Sequence, residues 1–179
     1  QMGDASPDFA AAVNLKCSRD VIFWFNTFVW TQNPIDFPNE PRVPVILFPK
    51  QAEFILCLHE HINIGRPLLL EKSREQLASV ATANYALWRL LYCKNADTLI
   101  GSYREDAVDG ESYAEAILPK IDYTMDYLPK WMKPEGFDPK KHRKYMSLKN
   151  PETGKVITGD TCNEKFSRGS RYAWVWLDE

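Results

Sequence analysis

The sequence has little excess charge of either sign, no closely spaced cysteine pair and no long apolar run. Its 179 residues carry 22 Lys+Arg and 24 Asp+Glu, which excludes a histone-like protein that binds nucleic acid through its overall charge. The four cysteines include no C-x-x-C pair, so zinc and redox motifs of that kind are excluded, and we expect reduced, mostly buried thiols. No apolar stretch approaches the ~20 residues that a membrane-spanning helix needs, and no signal peptide is evident. We therefore expect a soluble intracellular protein.

Internal repeats and low-complexity tracts are also absent, whereas apolar and aromatic residues are plentiful. Hydrophobic residues make up 45% of the chain and aromatic residues 13%, which is enough to bury a core. The length predicts one structural domain. Within it, residues 1–49 form an N-terminal helix and a proline-rich strap, and residues 50–179 form an α/β unit.

Helical periodicity predicts three helices ahead of residue 93. Apolar side chains recur three and four residues apart over residues 21–29 and again from residue 50 to 62. Five prolines from Pro34 to Pro49 separate these helices and favour an extended segment. The third helix is predicted over residues 79–92, and a broken apolar stripe predicts further helix within residues 104–145.

Short apolar runs predict the strands. Residues 68–70 and 98–102 flank the third helix, so they predict a βαβ unit and a parallel sheet. Turn residues at 150–154 lie between two β-prone segments and predict a hairpin. Residues 172–177 predict a last strand, which ends on the acids Asp178 and Glu179.

A charged loop, KSREQLAS at residues 72–79, lies where the first predicted strand would lead into the third helix. Unpaired N–H groups and the helix dipole at such a turn stabilise an anion such as phosphate. A lysine there neutralises phosphate charge, and a serine at the helix start can bind Mg²⁺. The loop does not fit the usual glycine-rich pattern, because no glycine occurs between Gly65 and Gly101 and the lysine stands first. An ordinary charged surface loop is the alternative.

The acidic pair Asp178 and Glu179 is the second candidate element. P-loop nucleoside triphosphatases end a buried strand with an Asp that holds Mg²⁺ and often a Glu that orients the attacking water. Both elements would lie at the carboxyl ends of parallel strands, where open α/β sheets bind their ligands. Taken alone, a strand that ends on two acids is also typical of a solvated strand end.

Six segments, in order along the chain, resemble the ATPase domain of the large terminase subunit, the DNA-packaging motor of tailed bacteriophages and prophages. They are FPKQ at 48–51, LLEKSR through AS at 69–79, LIGSYRE at 99–105, LPKW at 128–131, RGSR at 168–171 and WVWLDE at 174–179. The resemblance implies a P-loop NTPase-like fold of the additional-strand class, a three-layer α/β sandwich with a mainly parallel sheet, which stops here after the Walker B strand. Some terminases have a deviant Walker A segment with its lysine at the start, as in this chain.

The same resemblance implies ATP and Mg²⁺ as cofactors and a role for each matching residue. Gln51 would read the adenine edge, and Lys72 would contact the β- and γ-phosphates. Ser79 and Asp178 would hold Mg²⁺. Glu179 would polarise the attacking water, and Arg74 would stabilise transition-state charge. The nucleotide-binding loop would comprise Lys72, Ser73, Arg74, Glu75, Gln76, Leu77, Ala78 and Ser79.

Two features depart from the family pattern. Leu77 stands where related loops have a glycine, and a leucine disfavours a positive φ and crowds a phosphate with its side chain, so we expect weak or lost nucleotide binding. The family also continues beyond the Walker B acids with a coupling motif and a nuclease domain. A chain that stops at residue 179 would lack the strand that lies between the Walker A and Walker B strands.

The function implied is the N-terminal part of a motor that couples Mg·ATP hydrolysis to viral DNA packaging in the host bacterial cytoplasm. The implied partners are double-stranded viral DNA, the portal protein, the small terminase subunit and further copies of the chain, with no membrane. The alternative is a catalytically inactive prophage remnant that acts as a binding or assembly module, and a helicase-like nucleotidase is a weaker third interpretation. The basic run at residues 140–144 is interpreted as a solvated loop rather than a DNA contact.

Overall fold

The computed structural model describes residues 6–32, 42–73, 77–167 and 171–178. The helices of these residues are α1 (Pro7–Arg19), α2 (Val21–Phe28), α3 (Pro49–Ile64), α4 (Ala78–Tyr92), α5 (Glu105–Asp109), α6 (Leu118–Tyr127), a 3-10 turn (Lys130–Met132) and α7 (Pro139–His142). The strands are β1 (Trp30–Gln32), β2 (Arg42–Pro44), β3 (Thr98–Ser102), β4 (Arg143–Lys144), β5 (Ser147–Lys149), β6 (Val156–Thr161) and β7 (Trp174–Leu177). None of the described helices has both the length and the apolar character that crossing a bilayer requires.

A mixed five-stranded sheet, with strand order β4-β5-β6-β3-β7, forms the framework. Strand β3 lies parallel to both β6 and β7, whereas β4, β5 and β6 pair antiparallel. The chain is therefore α/β, as predicted, and its sheet is mixed: four of the five described strands run in the same direction, and β5 runs opposite to them. The predicted hairpin at residues 150–154 is present as β5–β6, and its antiparallel pairing is what makes the sheet mixed.

The strand predicted at residues 68–70 is wrong. Residues 66–73 form no helix or strand, and Leu69 is 94% exposed. A strand needs a neighbour that pairs with its N–H and C=O groups, and β7 is the last strand on its side of the described sheet. The parallel pairing of β3 therefore comes from β6 and β7, which follow it, and not from a βαβ unit that precedes it.

The proline-rich strap is only partly described. Residues 33–41 lie outside the described residues, while β2 pairs antiparallel with β1 in a separate two-stranded ribbon. The helices predicted on either side of the strap are confirmed as α2 and α3. Asp20 caps α2, because its carboxylate accepts a hydrogen bond of 2.9 Å from the Phe23 N–H.

The cysteines are all free, but the expectation that most of them are buried is wrong. Cys17 is buried, Cys57 and Cys93 are half-buried, and Cys162 is exposed. Cys162 lies just beyond the carboxyl end of β6, where the chain leaves the sheet, so its exposure follows from its place in the fold rather than from its residue type.

Arg143 corrects the interpretation of the basic run as a solvated loop. Its side chain is only 18% exposed, and its guanidinium binds the carboxylates of Asp109 and Asp122. Nε lies 2.9 Å from both Asp122 oxygens, and Nη1 lies 3.0 Å from Asp109 Oδ2. This charged cluster joins α5, α6 and the start of β4.

Helices α4 and α5 pack on one face of the sheet. The ring of Tyr85 in α4 lies 5.9 Å from that of Trp174 in β7. In β6, Gly159 makes room for α5, because a Cβ at this position would lie 2.5 Å from Val108 Cγ1. On the opposite face of β7, Val175 and Leu177 are exposed.

Candidate functional site

Helix α4 runs antiparallel to β3, β6 and β7. Near its C-terminal end, the Leu90 carbonyl accepts a hydrogen bond from Asn150, which lies ahead of β6. Closer to the helix N-terminus, Tyr85 packs on Trp174, the first residue of β7. From Tyr85 the helix continues by about 10 Å to its first residue, and β7 continues by about 13 Å to Asp178. The N-terminus of α4 and the end of β7 therefore lie at the same end of the sheet, which we call the carboxyl end.

Helix α3 runs parallel to α4 and reaches the same end. His59 Nδ1 lies 2.9 Å from Tyr85 Oη, and Arg89 Nη1 donates to Asn63 Oδ1 at 3.5 Å. In each pair the two partners are 26 residues apart in the sequence. A constant separation means that α3 and α4 run side by side in the same direction. Gln51 lies about two helical turns before His59 in α3. The same separation of 26 residues therefore brings Gln51 level with the start of α4.

The side chain of Gln51 takes part in the first turn of α3. Its Oε1 accepts a hydrogen bond of 2.9 Å from the Phe48 N–H, as the third helical residue does in a capping box. The adenine-reading role of Gln51 stays a prediction, and the structure adds a capping role that the sequence interpretation did not include.

The loop between α3 and α4 is partly described. Lys72 and Ser73 are exposed, while Ala78 is buried and Ser79 is half-buried in the first turn of α4. Three of the predicted loop residues (Arg74, Glu75 and Gln76) and the predicted catalytic acid Glu179 lie outside the described residues.

Leu77 has the left-handed backbone conformation that a glycine would adopt without strain. Its φ is 57° and its ψ is 13°, and it is the N-cap of α4. For a residue with a Cβ this conformation costs about 1–2 kcal/mol. The turn thus has a backbone geometry that favours glycine, although the residue is leucine.

Asp178 continues the pairing of β7 with β3 by one residue. Its N–H donates to the Gly101 carbonyl at 2.9 Å, which places Asp178 beside Ser102. Side chains alternate along a strand, so Asp178 lies in the same row as Trp174, on the face that α4 covers. The predicted metal ligand is therefore at the carboxyl end of the sheet, on the α4 side.

Ser102 is a polar residue at this end that the sequence interpretation did not single out. It is 1% exposed, and within the described residues its Oγ has no hydrogen-bond partner. The rule that drew attention to Asp178, a polar residue at the carboxyl end of a parallel strand, also applies to Ser102 and could have found it.

Lys120 is a second residue that the sequence interpretation missed. Its Nζ donates to the carbonyls of Tyr113 at 2.8 Å, Ala114 at 3.2 Å and Ala116 at 2.5 Å. Burial lowers the pKa of Lys120 to about 8, and the negative charge of Asp178 acts in the opposite direction. No local sequence signal marks this residue, because its burial depends on how α6 packs.

We expect Asp178→Asn to lower the pKa of Lys120 further. The Asp178 carboxylate favours the ammonium form of Lys120, so removal of its charge makes proton loss easier. The pKa can be measured from the side-chain chemical shifts of labelled lysine in a pH titration. Asp126→Asn, an exposed carboxylate on the same helix, is the control and should leave the pKa unchanged. An unchanged or higher pKa in Asp178→Asn would contradict the proximity of the two charges.

The carboxyl end of the sheet has the chemistry that an anion and a divalent cation need. The first N–H groups of α4 have no partner within the helix, and the helix dipole is positive there. Magnesium is commonly held by one or two protein ligands together with phosphate oxygens and water, and the pairing of Ser79 with Asp178 as such ligands stays a prediction. Within the described ranges, no group of three or more His, Cys, Asp or Glu side chains could hold a metal ion, so a metal there would depend on the phosphates.

No protein-family model matches this chain, and no curated protein aligns with it significantly. The resemblance to large terminase subunits therefore rests on the six segments and on the residue chemistry described above.

Proposed function

We propose that this chain is the N-terminal part of a large terminase ATPase that binds Mg·ATP at the carboxyl end of its sheet. In the longer parent, hydrolysis would drive packaging of double-stranded viral DNA in the host bacterial cytoplasm, with the portal protein and the small terminase subunit as partners. One observation carries the proposal. The start of α3 with Gln51, the start of α4 with Ser79, and Asp178 after β7 all lie at the same end of the sheet.

Each of these elements has a task in nucleotide binding. The N–H groups in the first turn of α4 and the ammonium of Lys72 would bind the phosphates. Ser79 and Asp178 would hold Mg²⁺, which neutralises phosphate charge when it is bound. In the proposed mechanism Glu179 orients the attacking water and Arg74 stabilises the developing charge, so the protein acts by positioning and electrostatics.

The left-handed turn at Leu77 supports the P-loop interpretation from a separate direction. A phosphate loop needs close approach of the backbone to the ligand, which is why glycine is favoured there. The φ of 57° at Leu77 is the geometry that such a glycine serves.

The alternative function is a catalytically inactive remnant that serves as a binding or assembly module. The specific observation in its favour is again Leu77, whose side chain is 36% exposed beside the start of α4. A leucine at this place takes up space that the phosphates would otherwise fill.

Titration with a fluorescent ATP analogue, with and without Mg²⁺, separates the two functions. Micromolar binding that Lys72→Ala weakens at least tenfold, or by about 1.4 kcal/mol, would support the motor, although Leu77 is expected to weaken the binding. Lys149→Ala, which removes an exposed lysine from β5, is the matched control and should bind normally. If no binding occurs at millimolar nucleotide, the motor interpretation is wrong and the inactive module is favoured.

A further inference from the structure

A polar cavity of about 340 Å³ lies at the opposite, amino end of the sheet. It is lined by Ile62 and Asn63 of α3, by Arg89, by residues 93–95 and by Ala173, which precedes β7. It is separate from the proposed nucleotide site, because Asn95 and Ala173 precede β3 and β7 whereas Asp178 follows β7.

Arg89 is a buried cation with no counter-ion among the described residues. It is 3% exposed, and none of the ion pairs among the described residues includes it. Nη2 donates to the Asn95 carbonyl at 2.6 Å and Nη1 to Tyr85 Oη at 3.3 Å, but Nε has no acceptor in the described part of the chain. A buried charge is costly unless it is paired and hydrogen-bonded, so this guanidinium is short of one partner.

The side chains around Arg89 are also short of acceptors. Asn63 Nδ2 lies 3.0 Å from His59 Nε2, and His59 Nδ1 lies 2.9 Å from Tyr85 Oη. If Nε2 accepts from Asn63, then Nδ1 carries the proton and donates to Tyr85. Tyr85 Oη then accepts from both His59 and Arg89, and its own proton has no acceptor among the described residues.

His59 does not supply the missing negative charge or a further acceptor. Burial lowers its pKa, and the nearby charge of Arg89 lowers it further, so His59 stays neutral near pH 7. The exposed Lys94 adds another positive charge to the cavity. The cavity is therefore positively charged, with Arg89 and Lys94 in its lining and no acidic residue among the described residues that line it.

The C-terminal ends of α3 and α4 explain part of this arrangement. Both helices end near the cavity, and a cation is favoured beside the carbonyls of a helix C-terminus. Within the described residues, however, the one backbone carbonyl that Arg89 reaches is that of Asn95, which lies beyond α4. The helix ends therefore leave Nε unsatisfied.

We propose that this cavity binds a small oxyanion, a phosphate or carboxylate carried by a small molecule, with Arg89 as its charge partner. The volume is at the small end of the range for ligand cavities. A guanidinium presents parallel N–H groups that match the two oxygens of either anion. Arg89 and Lys94, which both line the cavity, supply the positive charge that the anion would meet.

The test is the thermal midpoint of the full chain in inorganic phosphate, in acetate and in chloride at equal ionic strength. When the favoured oxyanion is present at ten times its own dissociation constant, we expect the thermal midpoint to be about 3–5 °C higher than in chloride. A larger response to phosphate would identify a phosphorylated ligand, and a larger response to acetate a carboxylate. Equal midpoints in all three salts would overturn the proposal and leave Arg89 as a helix-end charge.

Asn63→Asp gives the decisive variant. It replaces an exposed amide whose Oδ1 is 3.5 Å from Arg89 Nη1 by a carboxylate of the same shape, which supplies an internal anion. We expect a higher midpoint in chloride and no further response to the favoured oxyanion. Asn163→Asp adds the same charge at an exposed position beyond β6 and should keep the response.

Two further variants test whether the oxyanion response comes from Arg89 and whether it is separate from the nucleotide site. Arg89→Met should abolish the response, and if that variant does not fold, Asn63→Asp still decides. Lys72→Ala weakens any phosphate binding at the proposed nucleotide loop, so the response that remains in this variant belongs to the Arg89 cavity. A full response in Asn63→Asp would also overturn the proposal.

Discussion

Replacing Arg143 by Met should lower the free energy of unfolding by about 3–5 kcal/mol, the usual cost of removing one partner from a buried ion pair. The guanidinium binds Asp109, whose side chain is 8% exposed, and Asp122, whose side chain is 33% exposed. Without Arg143 the buried Asp109 carboxylate and the partly exposed Asp122 carboxylate lose the cation that they share. Urea unfolding followed by circular dichroism measures the change.

Arg104→Met is the matched control. Arg104 pairs with Asp106 at 3.1 Å, but both side chains are more than half exposed, and exposed pairs contribute about 0–1 kcal/mol. A loss below about 1 kcal/mol in Arg143→Met as well would contradict the assignment of Arg143 as the cation that holds α5, α6 and β4 together.

The loss of unfolding free energy in Arg143→Met should also depend on pH. Burial raises the pKa of Asp122, and Arg143 opposes that shift, so removal of Arg143 raises the pKa further. A carboxyl group with a raised folded-state pKa contributes stability below its unfolded pKa and loses it as the pH rises through the folded value. The difference in the free energy of unfolding between Arg143→Met and the unaltered chain should therefore be smallest near pH 4 and largest near pH 7.

The elements with strong periodicity could be predicted from the sequence. Helices α3 and α4 are long enough for apolar spacing to identify them, and β7 is an apolar run with an acidic end. Residues 68–70 have the same apolar character as a buried strand, but a run this short does not reveal whether a neighbour exists to pair with it. The exposure of Leu69 shows that pairing, and not composition, decides whether the segment becomes a strand.

The candidate site could be predicted only in part, because its geometry depends on contacts between distant residues. The residue types at Lys72, Ser79 and Asp178 are visible in the sequence. Their placement depends on the contact of Tyr85 with Trp174, which joins α4 to a strand far along the chain. Arg143 shows the same limit, since its partners are 21 and 34 residues away and no local pattern distinguishes it from the solvated lysines beside it.

Leu77 is the position where sequence and structure conflict most directly, and Leu77→Gly should change both stability and binding. The fair comparison is with Leu77→Ala, because both variants lose the leucine side chain and only alanine keeps a Cβ in the left-handed conformation. We expect the glycine variant to be more stable than the alanine variant by about 1 kcal/mol. Urea unfolding of the two variants measures this difference.

The effect of Leu77→Gly on nucleotide binding should be larger. Removal of the side chain clears the start of α4, and removal of the Cβ lets the backbone approach a phosphate closely. We expect Mg·ATP analogue affinity to increase in the order Leu, Ala, Gly, with glycine at least tenfold above leucine, or about 1.4 kcal/mol. Adding Lys72→Ala to the glycine variant should remove the gain, because both residues would act on the same phosphates. A glycine variant that is more stable than alanine yet binds no nucleotide would mean that the left-handed turn serves the fold alone, and the inactive module would then be the better description.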